Sequence, residues 1–339
     1  MEKLRIVFIG YYGRLNAGDD LLQQSLTSLF QEHDLTFCSW VPGIKFLNEV
    51  DLVVVGGGSI WPGNVIFQNA KEYAKRLKTP LIVLGVSAKQ ENIKVSDAMP
   101  ALLDKTLLFQ VRDNESKRLI CADSKIVEGT DLFWWVDFDD SSHISQRNHK
   151  IVALNLRPWA GEEWSASKIK EVLVRSFGSV LSFPMYFGSA IHEVGVNSQD
   201  VELLKKIGLS DTPTHFSPQV LNESGVVVAM RFHALLLAIR AGIPVIGFTY
   251  HRKIKALFKE LEMEELCVPL EDPVALEYAI SQLLDNYDDY QLRILANRDK
   301  FLEQGKIDRE RLQQKVKGIK KSGTNRLRKF VRAIRSMFE

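Results

Sequence analysis

The chain has 339 residues, 45% hydrophobic and 25% charged, with glycine and proline near ordinary usage. That is long enough for two soluble domains of roughly 150 residues each and excludes a disordered or fibrous class. The net charge of +2 hides an asymmetry: residues 317–339 carry eight Lys or Arg and one acid, leaving 36 basic and 41 acidic residues in the first 316, a net of −5. A mildly acidic body disfavours a nucleic-acid binder.

The cysteines, Cys38, Cys121 and Cys267, are odd in number and far apart. They show no metal-ligand spacing, so a reducing compartment and no metal site are expected. Residues 1–5 lead directly into an apolar strand, and no apolar run approaches the length of a bilayer span. The expected location is the cytoplasm.

In chain order, residues 4–9 predict a strand, 10–18 a glycine-bearing loop and 19–31 a helix. Strands follow at 51–55, 81–86, 109–112 and 124–127, with helices at 64–77 and 114–121. This alternation is that of a doubly wound α/β domain. A polar stretch at 139–150 reads as a linker, after which the pattern starts again. Strands are expected at 151–156, 180–184, 226–229 and 245–250. Helices are expected at 167–177, 198–207, 232–240, 253–261, 274–284 and 287–301. The expected architecture is α/β, with two doubly wound Rossmann-like domains facing across a cleft and a basic C-terminal helical tail. The boundaries are 1–145, 146–316 and 317–339.

Several segments carry residues suited to chemistry. Gly10-Tyr11-Tyr12-Gly13, with Asn16, Gly18, Asp19 and Asp20, lies between the first strand and helix, where glycines allow close backbone approach. Its spacing is not that of a dinucleotide fingerprint. Asp19 and Asp20 read either as helix caps alone or as caps that also do acid–base work. Gly56-Gly57-Gly58-Ser59 ends a buried strand and reads as an anion-binding loop or an unliganded tight turn; without Gly-Lys-Ser/Thr it is not a Walker loop.

Arg112-Asp113 and Asn155-Leu156-Arg157-Pro158-Trp159 each place an arginine at a strand end. Either could clamp a carboxylate or phosphate, although for Arg112 a structural ion pair is the preferred reading. Met230-Arg231-Phe232-His233 follows one buried strand, and Tyr250-His251-Arg252-Lys253 follows the next. Open parallel sheets bind ligands at the C-terminal strand ends, so Arg231, His233 and Lys253 would converge there on an anion. Cations around His233 lower its proton affinity and an anionic ligand raises it, which suits a proton-exchanging group.

Taken in order, these motifs, with Gly242-Ile243-Pro244, resemble the polysaccharide pyruvyl transferase family from Gly10 to about residue 261. The family is similar in fold to two-domain GT-B glycosyltransferases. Two departures stand out. Gly18-Asp19-Asp20 replaces the usual Gly-Asp-Glu, and Gly85-Val86-Ser87-Ala88 lacks an expected proline.

The resemblance implies transfer of the enolpyruvyl group of phosphoenolpyruvate to a saccharide or lipid-linked precursor, forming a pyruvate ketal. No cofactor beyond that co-substrate is implied. His233, Asp19 and Lys253 become the expected catalytic residues. Arg231, Arg112, Arg157, Gly57, Gly58, Ser59, Asn16, Asp20 and Tyr250 become the expected substrate contacts. His233 is assigned to the donor side and Asp19 to a sugar hydroxyl, the reverse assignment remaining open. The donor is expected on the second domain and the acceptor on the first. The competing readings are a nucleotide-sugar GT-B glycosyltransferase and a non-catalytic saccharide-assembly protein. In the tail, Leu327, Phe330, Val331, Ile334 and Phe338 share a helical face rimmed by Arg and Lys. That face predicts either peripheral contact with an anionic membrane or a solvated or docked helix.

Overall fold

The computed structural model describes residues 3–61, 64–88, 98–120, 124–135, 147–159, 162–188 and 200–321. Cys121, most of the expected linker and residues 322–339 of the expected amphipathic tail lie outside the described residues.

The chain divides into two compact units. The first comprises Met1–Gly13, Leu21–Val136 and Glu303–Glu339; the second comprises Arg14–Asp20 and Asp137–Leu302. The sequence places 14–20 with the first domain and 303–316 with the second, and by contact both belong to the other unit. Neither reassignment has a local signal, because each unit boundary, at 20/21 and at 302/303, falls inside a helix, Ala17–Leu29 or Tyr287–Lys317.

The first unit carries β1 (Arg5–Ile9), α1 (Ala17–Leu29, whose first turn counts with the second unit), β2 (Asp34–Cys38), α2 (Ile44–Leu47) and β3 (Leu52–Trp61). It continues with α3 (Val65–Gln68), α4 (Ala70–Arg76), β4 (Leu81–Ala88), α5 (Met99–Lys105), β5 (Thr106–Val111), α6 (Asn114–Ile120) and β6 (Ile126–Glu128). The sheet is parallel, in the order β2-β1-β3-β4-β5-β6. Every residue of β4 is buried, the continuous apolar run expected of a strand covered on both faces. On one face Val7, Val53 and Val83 pack with Phe67, Leu102 and Ile120 in a single core. Each such side chain contributes roughly 1.5–3 kcal/mol.

Three sequence expectations change here. The 64–77 helix is broken at Asn69, whose φ of −110° and ψ of 37° leave the helical region. Strand β2 goes unrecognised because its exposed and half-buried residues lack an apolar run. Gly56-Gly57-Gly58-Ser59 is not a loop: β3 continues through it, and Gly56 and Gly58 still pair with Leu84 and Val86 of β4. Gly57 and Gly58 adopt φ of 79° and 81°, which glycine permits at no steric cost.

The second unit carries β7 (Ile151–Asn155), α7 (Glu162–Ser176), β8 (Ser179–Ser182), α8 (Asp200–Lys206), α9 (Val220–Glu223) and β9 (Val226–Ala229). Then come α10 (Phe232–Arg240), β10 (Val245–Phe248), α11 (Arg252–Glu260), β11 (Cys267–Val268), α12 (Pro273–Asp285) and α13 (Tyr287–Lys317). Its parallel sheet runs β11-β10-β9-β7-β8. All residues of β9 and β10 are buried. Helix α12 starts sharply because Asp272 accepts a hydrogen bond from the Ala275 N–H at 2.9 Å and Pro273 occupies the first turn. Helix α13 extends past the expected end at 301, and its residues from Glu303 onward belong to the first unit. There the Asp308 carboxylate is fully buried and accepts from both the N–H and the hydroxyl of Thr130, at 2.8 and 3.1 Å. No described helix is long and apolar enough to cross a membrane.

Candidate active site

In the second unit, β10, β9 and β7 are adjacent and parallel, so the segments leaving their C-terminal ends start side by side. Strand β9 delivers Arg231 and His233, β10 delivers Tyr250 and Lys253, and β7 delivers Asn155 and Arg157. The fully buried Asn155 ties two of these segments together. Its Oδ1 accepts the Arg231 backbone N–H at 2.9 Å and its Nδ2 donates to the Phe183 carbonyl at 2.8 Å.

Arg231 is held by a residue the sequence does not mark. Asp200, at the start of α8 and fully buried, accepts from Arg231 Nε and Nη2, both at 2.6 Å. The same carboxylate accepts backbone N–H bonds from Met185 at 3.0 Å and Tyr186 at 3.2 Å, and the Tyr186 ring lies 5.3 Å from the guanidinium carbon. Burial opposes the Arg231 charge, but Asp200 above all, with Tyr250 and Asp19, offsets it and leaves the pKa raised. Sequence offers no signal for Asp200, since an acid in a first helical turn looks like ordinary dipole complementation.

The segment carrying Asn16, Asp19 and Asp20 is joined to this cluster by backbone pairing. Asn16 bridges antiparallel to Tyr186, Ala17 N–H donates to the Met185 carbonyl at 2.8 Å, and Phe187 N–H donates to Leu15 at 2.9 Å. Leu15 takes the left-handed φ of 56° to make the turn. Neither Asp19 nor Asp20 is the cap of α1. Asn16 precedes the helix and its Oδ1 accepts from the Gly18 N–H at 3.3 Å, while the two aspartates occupy the first turn, where they complement the helix dipole. Asp20 is half-buried there.

His233 packs on this turn so closely that a Cβ on Gly18 would stand 2.6 Å from its Cγ. Lys253 reaches back from α11, its Nζ 5.5 Å from the centroid of the Phe232 ring next to His233. Its own N–H donates to His251 Nδ1 at 3.2 Å, which caps that helix. Burial pushes the Tyr250 phenol up, with Arg157 and Arg231 partly offsetting it, so its hydroxyl remains protonated at neutral pH.

The remaining expected site residues lie in the first unit. Arg112 is buried and donates from Nη1 to Asp131 at 2.9 Å, and from Nη2 to Ser59 at 3.1 Å and Ser87 at 3.0 Å. Its charge is balanced by Asp131 at 2.9 Å, while the neighbouring Asp113 lies at 3.9 Å. Gly57 and Gly58 belong to β3, the strand that also carries Ser59. A side chain at Gly57 would meet Leu22 at 2.9 Å. Tyr12 donates to the Gly56 carbonyl at 2.6 Å, so that glycine run is engaged by protein on at least one side. Among the described residues, no group of three or more His, Cys, Asp or Glu is arranged to hold a metal ion.

A model of the polysaccharide pyruvyl transferase family matches residues 16–252, a span that contains Asn16, Asp19, Arg231 and His233. No curated protein sequence matches. Among solved structures, the chain is similar to UDP-GlcNAc 2-epimerase from Neisseria meningitidis bound to UDP-GlcNAc, with TM-score 0.54 and 13% identity over 92% of this chain and 100% of that one. It is also similar to UDP-GlcNAc 2-epimerase from Methanocaldococcus jannaschii, with TM-score 0.52 and 10% identity over 92% and 100%. At such identities the likeness shows the fold, two Rossmann-like sheets of the GT-B class, and leaves the chemistry to the site.

Proposed function

The chain belongs to the polysaccharide pyruvyl transferase family, and from that premise we propose that it transfers the enolpyruvyl group of phosphoenolpyruvate to two hydroxyls of a saccharide, releasing phosphate and leaving a pyruvate ketal. The observation that carries the reading is the gathering of Arg231, His233, Lys253 and Asp19 in one unit, at neighbouring strand ends and on the turn packed against them. Phosphoenolpyruvate bears a carboxylate and a phosphate, and such a ligand needs fixed cations. Arg231 commits two of its five N–H donors to Asp200, and the others serve an anion.

In this reading a proton is added to the methylene carbon of the donor, which becomes a methyl group and makes C2 electrophilic. One sugar hydroxyl attacks C2 and gives up its proton. The C–O bond to phosphate then breaks, the second hydroxyl closes the ring, and its proton leaves with the base or the phosphate. His233, flanked by Lys253 and Arg231, supplies the proton or steadies the departing phosphate. Asp19 orients a hydroxyl and accepts its proton. Asp19 and His233 belong to the same unit and meet at one packed turn, so the acid that acts on the donor and the base that acts on the acceptor hydroxyl are held together. Arg112, neutralised by Asp131, supports its own strand ends instead.

The test is thermal stabilisation of the purified full-length chain by millimolar phosphoenolpyruvate, beside a panel of nucleotide sugars, in wild type, His233→Ala and Lys253→Ala. A phosphoenolpyruvate shift that weakens in either variant is expected. A shift only with a nucleotide sugar would replace this reading by glycosyl transfer, and saccharide binding without any phosphate release would leave a non-catalytic assembly protein.

A further inference from the structure

Residues leaving the two outer strands of the β10-β9-β7 trio meet each other across the middle one. Trp159, after β7, and Tyr250, after β10, touch edge to face with ring centroids 5.2 Å apart at 71°. The Arg157 guanidinium carbon lies 5.6 Å from the Trp159 centroid and 5.9 Å from that of Tyr250. Arg157 and Tyr250 are half-buried, whereas 37% of Trp159 remains open to solvent. Beside them, Leu156, Ile169, Leu203 and Met230 line a small apolar cleft with Arg157 and Trp159. An indole flanked by a cation, next to a charged cluster and still exposed, is a surface suited to a ligand with an apolar face.

We propose that Trp159 and Tyr250 form a stacking platform for one pyranose ring of the acceptor saccharide, with Arg157 fixing the platform and hydrogen-bonding the rim of the sugar. This rests on the pyruvyl-transfer reading and adds to it the place and ring chemistry of the acceptor. Phosphoenolpyruvate is small, doubly anionic and has no face of ring size, so it belongs with Arg231 and Lys253. A pyranose presents polarised C–H bonds on one face, which an aromatic π-surface attracts, and hydroxyls around its edge, which a guanidinium binds. Ketal formation also demands orientation, because two hydroxyls of one 1,2- or 1,3-diol must reach the same carbon in turn. Stacking fixes the plane of the ring and leaves its edge to face the donor. Arg157, expected from sequence as a possible anion clamp, thereby becomes part of the acceptor side.

The full-length wild type, Trp159→Ala and Trp159→Phe are titrated calorimetrically with methyl glycosides of glucose, galactose, mannose and N-acetylglucosamine, and their thermal shifts with phosphoenolpyruvate are measured in parallel. The expected result is saccharide binding weakened about tenfold or more in Trp159→Ala and kept within about threefold in Trp159→Phe. The phosphoenolpyruvate shift is expected to be unchanged in both. Wild-type affinity in Trp159→Ala, no saccharide binding by the wild type, or parallel loss of the phosphoenolpyruvate shift would each overturn the platform. A wild type that binds saccharide through Trp159 but ignores phosphoenolpyruvate would sink the pyruvyl-transfer reading and uphold the platform.

Discussion

The imidazole of His233 rests on the α-carbon of Gly18, in space that a side chain at residue 18 would need: an added methyl would come within 2.6 Å of His233 Cγ. Two residues far apart in sequence thus share one van der Waals surface, and Asp19 is set beside the histidine by the same turn. The glycine is required by contact with the His233 side chain, not by an unusual backbone angle.

Gly18→Ala is therefore expected to displace His233 and cost about 1–3 kcal/mol of stability through overpacking. The check is the proton NMR spectrum of the His233 ring at fixed pH, assigned with His233→Gln. A moved ring resonance is expected, together with a diminished thermal shift on adding phosphoenolpyruvate. An unaltered His233 signal would show that the contact does not position the ring.

The Asp200–Arg231 pair makes a second prediction. Asp200 carries Arg231 and the 185–186 backbone on one carboxylate, and that backbone in turn carries the segment with Asp19. Asp200→Ala leaves a largely buried guanidinium without its counter-charge, and about 3–5 kcal/mol of destabilisation is expected. Adding Arg231→Met should restore part of that loss, because the stranded charge is gone. Urea unfolding of the two single variants and the double variant reads the coupling; strictly additive losses would mean that the pair does not act as a unit.

At alkaline pH the second unit should loosen in a defined window. Burial pushes the Tyr287 phenol from the ordinary 10 up to about 12, with Arg147 opposing and Asp288 adding to the shift. Tyr290 is likewise raised to about 12, by burial and then by its hydrogen bond to Glu265. The folded state keeps these protons where the unfolded chain loses them, so the stabilisation is complete below pH 10 and declines between about 10 and 12. Cys267, raised from 9 to about 12 chiefly by burial, widens the window on its lower side. Melting temperatures from pH 8 to 12 should fall through this range, and Tyr287→Phe should flatten the fall. A level profile up to pH 12 would contradict the burial of these phenols.

Much of the fold is legible in the residues. Val226-Val227-Val228-Ala229 and Val245 onward read directly as strands, because a parallel strand covered on both faces has to be a short continuous apolar run. The stop at Gly242 and Pro244 likewise marks the end of α10. Arg231, His233 and Lys253 could be placed near one another for the same reason, since parallel strands put their C-terminal ends on one side. Edge strand β2 carries no such run because its residues are mostly exposed or half-buried, and nothing in the composition separates α4 from α3 at Asn69.

Sequence by itself determined the alternation of strand and helix, the family and the charged residues that follow the strands, all of which arise from local periodicity or from motifs kept in order. Tertiary structure alone decided that residues 14–20 and 303–316 belong to the opposite units, that Asp200 carries Arg231, and that Trp159 meets Tyr250 over the end of β9. These are contacts between segments remote along the chain, and they depend on buried charge, backbone pairing and close packing that no local pattern encodes.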